Sequence, residues 1–135
     1  MFTTVKLETS KRQELYLATD AIQAAIAESG VQEGICLVYC PHTTAGITVN
    51  SYLDPDTAAD LQDEIDRLVP TRTDFKHIFD TPSDAAGHIK ASLVGNQHAL
   101  IIHEGKAVLG HSQGIFFWEY DGPRKRQLHL KIVEC

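Results

Sequence analysis

The chain is poor in cysteine, methionine and tryptophan, with three, one and one residues respectively. Cys36, Cys40 and Cys135 form an odd set without a spaced framework, which excludes a small disulfide-stapled secreted domain. Cys36 and Cys40 lie in an apolar run whose alternate residues share a face, and they read as buried thiols. Long hydrophobic segments are lacking as well. No apolar run approaches the roughly 18 residues of a spanning helix, and the first twenty residues hold no uninterrupted apolar stretch. A membrane partner and a targeting segment are therefore not expected, and a reducing cytoplasm is the expected compartment.

Positive charge is scarce too: 12 Lys and Arg stand against 18 Asp and Glu, for a net charge of -6. Proteins that track phosphate backbones concentrate cations, so no nucleic-acid partner is expected. The chain also lacks a Gly-x-x-x-x-Gly-Lys-[Ser/Thr] loop, a Gly-x-Gly-x-x-Gly turn and a Gly-x-Ser-x-Gly elbow, which leaves nucleotide cradling and elbow-type hydrolysis unsupported. Its 135 residues are too few for two ordinary domains or for an eight-stranded α/β barrel of about 250 residues.

What is present is a globular composition, 43% hydrophobic and 22% charged, and seven histidines. No repeat, low-complexity tract or linker divides the chain, so residues 1–135 read as one domain. Phe2 to Leu7 and Glu14 to Ala18 alternate like strands about a Ser10-Lys11-Arg12 turn, which suggests a hairpin. From Thr19, Ile22, Ala25 and Ile26 recur at helical spacing up to Ser29-Gly30. Ile35 to Cys40 is almost wholly apolar and suits a strand covered on both faces. Ala45 to Asn50 continues it after the break Pro41-His42-Thr43-Thr44.

Asp54-Pro55 starts a second helix, Asp accepting from free backbone N–H groups and Pro taking the first helical position. Ala58, Leu61, Ile65, Leu68 and Val69 form its apolar stripe, and Asp56, Asp60, Asp63, Glu64 and Asp66 its solvated face. Residues 71–82 have no period, and a loop of that length in so small a domain suggests function. Ser83 offers a cap for a third helix ending near Gly95, with Ala86, Ile89, Leu93 and Val94 inward. Four period-two segments follow, Gln97 to His103, Lys106 to Leu109, Ile115 to Tyr120 and Gln127 to Glu134. The expected class is α+β: an antiparallel or mixed, sandwich-like sheet core with about three helices.

A divalent metal needs neutral imidazoles converging from separate elements. His42 follows a strand, His77 lies in the long loop and His88 on the third helix, so three elements could each aim one imidazole at a common point. Their spacings match no local zinc signature, and each also reads as a surface or capping histidine. His98, His103 and His129, in the terminal strands, read as structural. Cys40 lies two residues before His42, but a structural thiol is the favoured reading over a nucleophile. Asp121-Gly122-Pro123-Arg124-Lys125-Arg126 reads either as a charged turn or as an anion clamp.

Several blocks then stand out: Pro41-His42-Thr43-Thr44-Ala45-Gly46-Ile47-Thr48-Val49-Asn50, Asp54-Pro55-Asp56, Ala85-Ala86-Gly87-His88-Ile89-Lys90-Ala91-Ser92-Leu93-Val94-Gly95, and Gln113-Gly114-Ile115 through Glu119-Tyr120-Asp121-Gly122-Pro123-Arg124. In this order they resemble the YjbQ family, an uncharacterised protein family also called the secondary thiamine-phosphate synthase family. The resemblance spans essentially the whole chain. It implies a compact α+β fold, a homotrimer, and a pocket at His42, His77 and His88 for a divalent metal. Asn50, Asp54 and Glu119 become candidate catalytic residues there, and Lys90 and Arg124 candidate phosphate-binding residues. Where the family has Gly-Thr-Trp-Gln, this chain reads Gly110-His111-Ser112-Gln113, so His111 is a natural substitute or fourth ligand.

The implied activity is a weak, side-activity thiamine-phosphate synthase reaction, in which a thiazole phosphate nitrogen displaces diphosphate from a hydroxymethylpyrimidine diphosphate. Imidazole donors suit zinc or a similar ion, whereas diphosphate chemistry ordinarily uses magnesium held by carboxylates. A metal-dependent hydrolase or lyase is therefore the alternative enzyme class. A non-catalytic protein that binds a metal or a small phosphorylated ligand is the alternative outside enzymes.

Overall fold

The computed structural model describes all of residues 1–135. Along the chain run β1 (Phe2–Glu8), β2 (Glu14–Leu17), α1 (Thr19–Ser29), β3 (Gly34–Tyr39), β4 (Ala45–Ser51), α2 (Pro55–Leu68), α3 (Pro82–Val94), β5 (Gln97–His103), β6 (Lys106–Ala107), β7 (Gln113–Glu119) and β8 (Lys125–Glu134). The strands form two antiparallel sheets, one ordered β1-β8-β3-β5-β6 and the other β2-β7-β4. This is the α+β, sandwich-like arrangement with three helices that the sequence suggests. No helix is long and apolar enough to cross a membrane.

The expected β1–β2 hairpin does not form. Leu7 sits opposite Arg126 of β8, while Leu15 sits opposite Trp118 of β7, so the Ser10–Arg12 turn carries the chain from one sheet to the other. The same division separates β7 from β8 at the Asp121-Gly122-Pro123 turn. The two turns pack together: a Cβ on Gly122 would lie 2.3 Å from the Lys11 carbonyl oxygen, so only glycine fits there.

The core lies between the sheets. Cys36, Val38, Leu128, Leu130 and Ile132 enter it from the five-stranded sheet, Ala45, Ile47, Ile115 and Phe117 from the other, and Ile22 and Ile26 from α1. Each such aliphatic or aromatic side chain contributes about 1.5–3 kcal/mol by leaving water. Cys36 and Cys40 are buried as expected, and burial pushes both thiols up to about 11. β3 is covered on one face only, since Ile35 and Tyr39 are exposed. The strand covered on both is β7, because Ile65 of α2 and Ala91 and Val94 of α3 pack against Trp118 and Tyr120 on its outer side.

Two helix starts follow from capping chemistry. Asp54 Oδ1 accepts from the Asp56 N–H at 2.9 Å, with Pro55 in the first turn, as the sequence indicates. The third helix begins earlier than expected, with Thr81 rather than Ser83 as its cap and Pro82 next; Thr81 Oγ1 accepts from the Asp84 N–H at 3.2 Å. Its inward face carries Asp84, Ala85, Ala86, Gly87 and Lys90, and the expected inward residues Ile89 and Leu93 are exposed. Leu68 at the end of α2 is exposed as well. A Cβ on Gly87 would stand 3.2 Å from the Thr44 side chain, so α3 lies close against the entry to β4.

Candidate functional site

That close approach sets the geometry of a cluster at the start of α3. His88 Nδ1 lies 3.2 Å from the Thr43 carbonyl oxygen. A carbonyl can only accept, so Nδ1 carries a proton, and His88 turns its Nε2 to Asp84 one turn earlier, 3.1 Å from its Oδ2. His77, from the loop preceding the helix, brings its own Nε2 to 2.9 Å from the same oxygen. The two imidazoles stand edge to face with centroids 5.1 Å apart. Asp84 is only 7% exposed, whereas the histidines remain open to solvent at one side. Burial works to raise the Asp84 carboxyl, but the hydrogen bonds and charge of His77 and His88 outweigh it and hold it below the usual carboxylate range.

One donor atom from each of His77, Asp84 and His88 falls within 4.8 Å of the other two. Two imidazole nitrogens and one carboxylate oxygen suit zinc, iron, nickel or manganese better than magnesium, whose sites are built from oxygen. The chemistry of the donor set therefore fits a divalent transition ion. The fixed Nδ1–H of His88 adds the second hydrogen bond that orients a histidine ligand.

The structure brings His77 and His88 together and adds Asp84, which sequence reasoning missed. The available signal was the Asp84-x-x-x-His88 spacing, which puts both side chains on one helix face. His42 is not part of the cluster. Its Nε2 lies 3.0 Å from the Gln127 N–H that donates to it and 3.1 Å from the Gln127 carbonyl oxygen, so the ring is bound to β8. Burial and the nearby Arg126 charge hold its pKa down, keeping it neutral. His42 and His88 do share a cleft of about 390 Å³, with Ser92 and Asn96 on its wall.

The remaining candidates are dispersed. Glu119 is fully buried and its oxygens are engaged: Arg126 donates from Nε at 2.9 Å and Nη2 at 2.5 Å, and Thr9 from Oγ1 at 2.8 Å. Lys90 is 1% exposed and gives its Nζ to Asp66 Oδ1 at 2.5 Å, so it faces the protein interior rather than a ligand. Arg124 donates from Nε and Nη2 to Asp121, and it also lies near enough to Asp84 to feel its charge; both contacts raise its pKa.

Asn50 and Asp54 belong to the other end of β4. Asn50 is six residues beyond Thr44, about 20 Å along an extended strand, and its Oδ1 accepts from the Ser51 N–H. His111 is at that far end too, in a cleft with Leu17, Tyr52 and Gln113, so it is not a fourth ligand of this cluster. His103 pairs with Glu33, and His129 bonds Thr4 and packs on Phe2.

Comparison with known proteins identifies the family. The family model described as UPF0047 protein YjbQ-like matches residues 3–135. A UPF0047 protein of Methanocaldococcus jannaschii is 47% identical over 95% of the chain and 91% of its own length, and the UPF0047 protein YugU of Bacillus subtilis is 38% identical over 98% and 99%. Among solved structures, an uncharacterised YjbQ/UPF0047 protein of Clostridium acetobutylicum superposes with a TM-score of 0.91 at 42% identity, covering 97% of this chain and 99% of that one. A protein of unknown function from Sulfolobus solfataricus superposes with a TM-score of 0.93 at 29% identity, covering 100% and 97%.

Proposed function

The chain belongs to the UPF0047 family of YjbQ-like proteins, and from that premise we propose that it is a divalent-metal protein acting on a small phosphorylated substrate at His77, Asp84 and His88. One observation carries the reading: two imidazole nitrogens from different elements converge on a single nearly buried carboxylate oxygen, at 2.9 and 3.1 Å. A bound zinc-type ion supplies a Lewis acid that polarises a phosphoryl or carbonyl oxygen and acidifies water. The chain's own part is to hold that site in shape. The Thr43 carbonyl fixes the proton of His88 on Nδ1, and the Thr81 cap sets the helix start that carries Asp84. Arg124, exposed and paired with Asp121 but within reach of the charge on Asp84, offers positive charge to an anionic substrate.

Hydrolysis or lyase chemistry suits the donor set best. Thiamine-phosphate formation with departure of diphosphate is the second reading. It is supported by the family resemblance and by Arg124, and it is opposed by the imidazole ligands and by the burial of Lys90. A homotrimer belongs to the proposal: Ile35 stands opposite both Ile101 and Val133, making an exposed apolar row across three strands of the larger sheet that assembly would cover. The three free cysteines suit a reducing compartment such as the cytoplasm.

The test is elemental analysis of purified protein, wild type and His88→Ala, followed by assay with and without chelator. The substrates are phosphomonoesters, lactones, and the pyrimidine diphosphate with the thiazole phosphate; light scattering gives the copy number. We expect about one zinc-type ion per chain, lost in His88→Ala, and chelator-sensitive turnover. Metal without turnover leaves a binding protein, and no metal in either form refutes the reading.

A further inference from the structure

His42 borders two cavities. One is the cleft of about 390 Å³ that also touches His88; the other is a groove of about 710 Å³ running between β1, β2 and the start of β8. His42 is the one lining residue the two spaces share, so the groove and the metal-site cleft meet at its ring. Each space by itself has a size suited to a small molecule, since such pockets usually span about 300–1,000 Å³.

The groove has a distinct chemistry. Leu7 and Tyr16 contribute its apolar wall. Lys6 and Lys125 contribute two exposed ammonium groups, neither of them in an ion pair. Arg126 also borders it, but its guanidinium is spent on Glu119 and Thr44. Glu8 lies opposite Lys125 in register and is the one acidic group on the wall. Two ammonium groups together suit a compact dianion such as a phosphate monoester, which lysine binds as a point charge. In a chain of net charge -6, two lysines lining one groove make a local concentration of positive charge.

We propose that Lys6 and Lys125 form a phosphate-binding subsite for the same substrate, in a groove that meets the metal-site cleft at His42, so that the substrate's phosphate is held away from its reacting end. The proposal rests on the metal-site reading for the identity of the reacting end, but not for the binding of phosphate in the groove. Tyr16, half-buried on the groove wall, then borders the apolar body next to the phosphate.

The experiment titrates zinc-loaded protein with phenyl phosphate, using phenol as the control that lacks the anion, and follows backbone amide and histidine ring resonances. The expected result is saturable perturbation of Gln127 and His42, absent with phenol, and weakened about tenfold or more in the double variant Lys6→Ala/Lys125→Ala. Zinc content of that variant stays unchanged, because neither lysine touches the cluster. His88→Ala, conversely, loses zinc and keeps the groove perturbation. Perturbation confined to residues around His77 and His88, or equal binding by wild type and the lysine variant, overturns the subsite. A wild-type protein that takes up no zinc yet still shows the groove perturbation refutes the metal site instead.

Discussion

His88 Nδ1 hydrogen-bonds the carbonyl oxygen of Thr43 at 3.2 Å, tying the middle of α3 to the turn that precedes β4. The bond decides which nitrogen of His88 faces Asp84, and it depends on how closely α3 approaches that turn. Gly87 permits the approach, since a Cβ there would press on Thr44, which is itself buried and held by Arg126. Gly87→Ala should therefore push the helix outward and lower zinc affinity about tenfold, although Gly87 is no ligand. Competition against a chelating dye measures this; unchanged affinity with intact folding would show that the contact does not set the site.

His42→Ala should leave zinc content unchanged. Its Nε2 is engaged by the backbone of Gln127, so the substitution removes a hydrogen bond worth about 1 kcal/mol rather than a ligand. Elemental analysis beside denaturant unfolding separates the two effects, and loss of metal would return His42 to the ligand set.

Glu119→Gln should destabilise the protein by about 3 kcal/mol at neutral pH, because it strips a buried arginine of its counter-charge. Burial opposes ionisation of Glu119, yet Arg126 and Thr9 hold its carboxyl below the usual range. A depressed folded pKa means that the stabilisation is present above the unfolded value, about 4.3, and is lost as pH falls through the folded value. Asp66 and Asp84 are depressed in the same sense. The wild-type urea midpoint should thus fall steeply below about pH 4, and the Glu119→Gln slope should be flatter.

Lys90→Ala should cost about 2 kcal/mol, less than Glu119→Gln, because the stranded partner Asp66 is 38% exposed and can be hydrated. Thermal unfolding of the two variants side by side checks the order, and a negligible effect of Lys90→Ala would mean that Lys90 is free to turn outward.

Much of the fold is legible in the chain because local rules act within a few residues. Asp54-Pro55 announces α2, Gly30 with φ 75° ends α1 in the left-handed region, and Leu128, Leu130 and Ile132 alternate into the core. Part of the site is legible too: His77 and His88 are read as metal candidates and do converge. Asp84 was missed because it resembles an ordinary first-turn helix acid, and only the inward rotation of α3 makes it a shared acceptor. Lys90 misled for the same reason, since a lysine in a helix is ordinarily solvated and this one is enclosed.

By itself the sequence determined the positions of the strands and helices, the buried cysteines and the histidines available for a metal, since periodicity, capping and residue chemistry are local properties. Tertiary structure alone decided that β1 joins β8 and β2 joins β7, that α3 turns Asp84 inward, and that His42 faces Gln127 while Asn50, Asp54 and His111 gather at the opposite end of β4. The reason is physical. Strand partners far apart in sequence are chosen by the burial they achieve together, and each one-residue change in a helix start rotates its faces by about 100°.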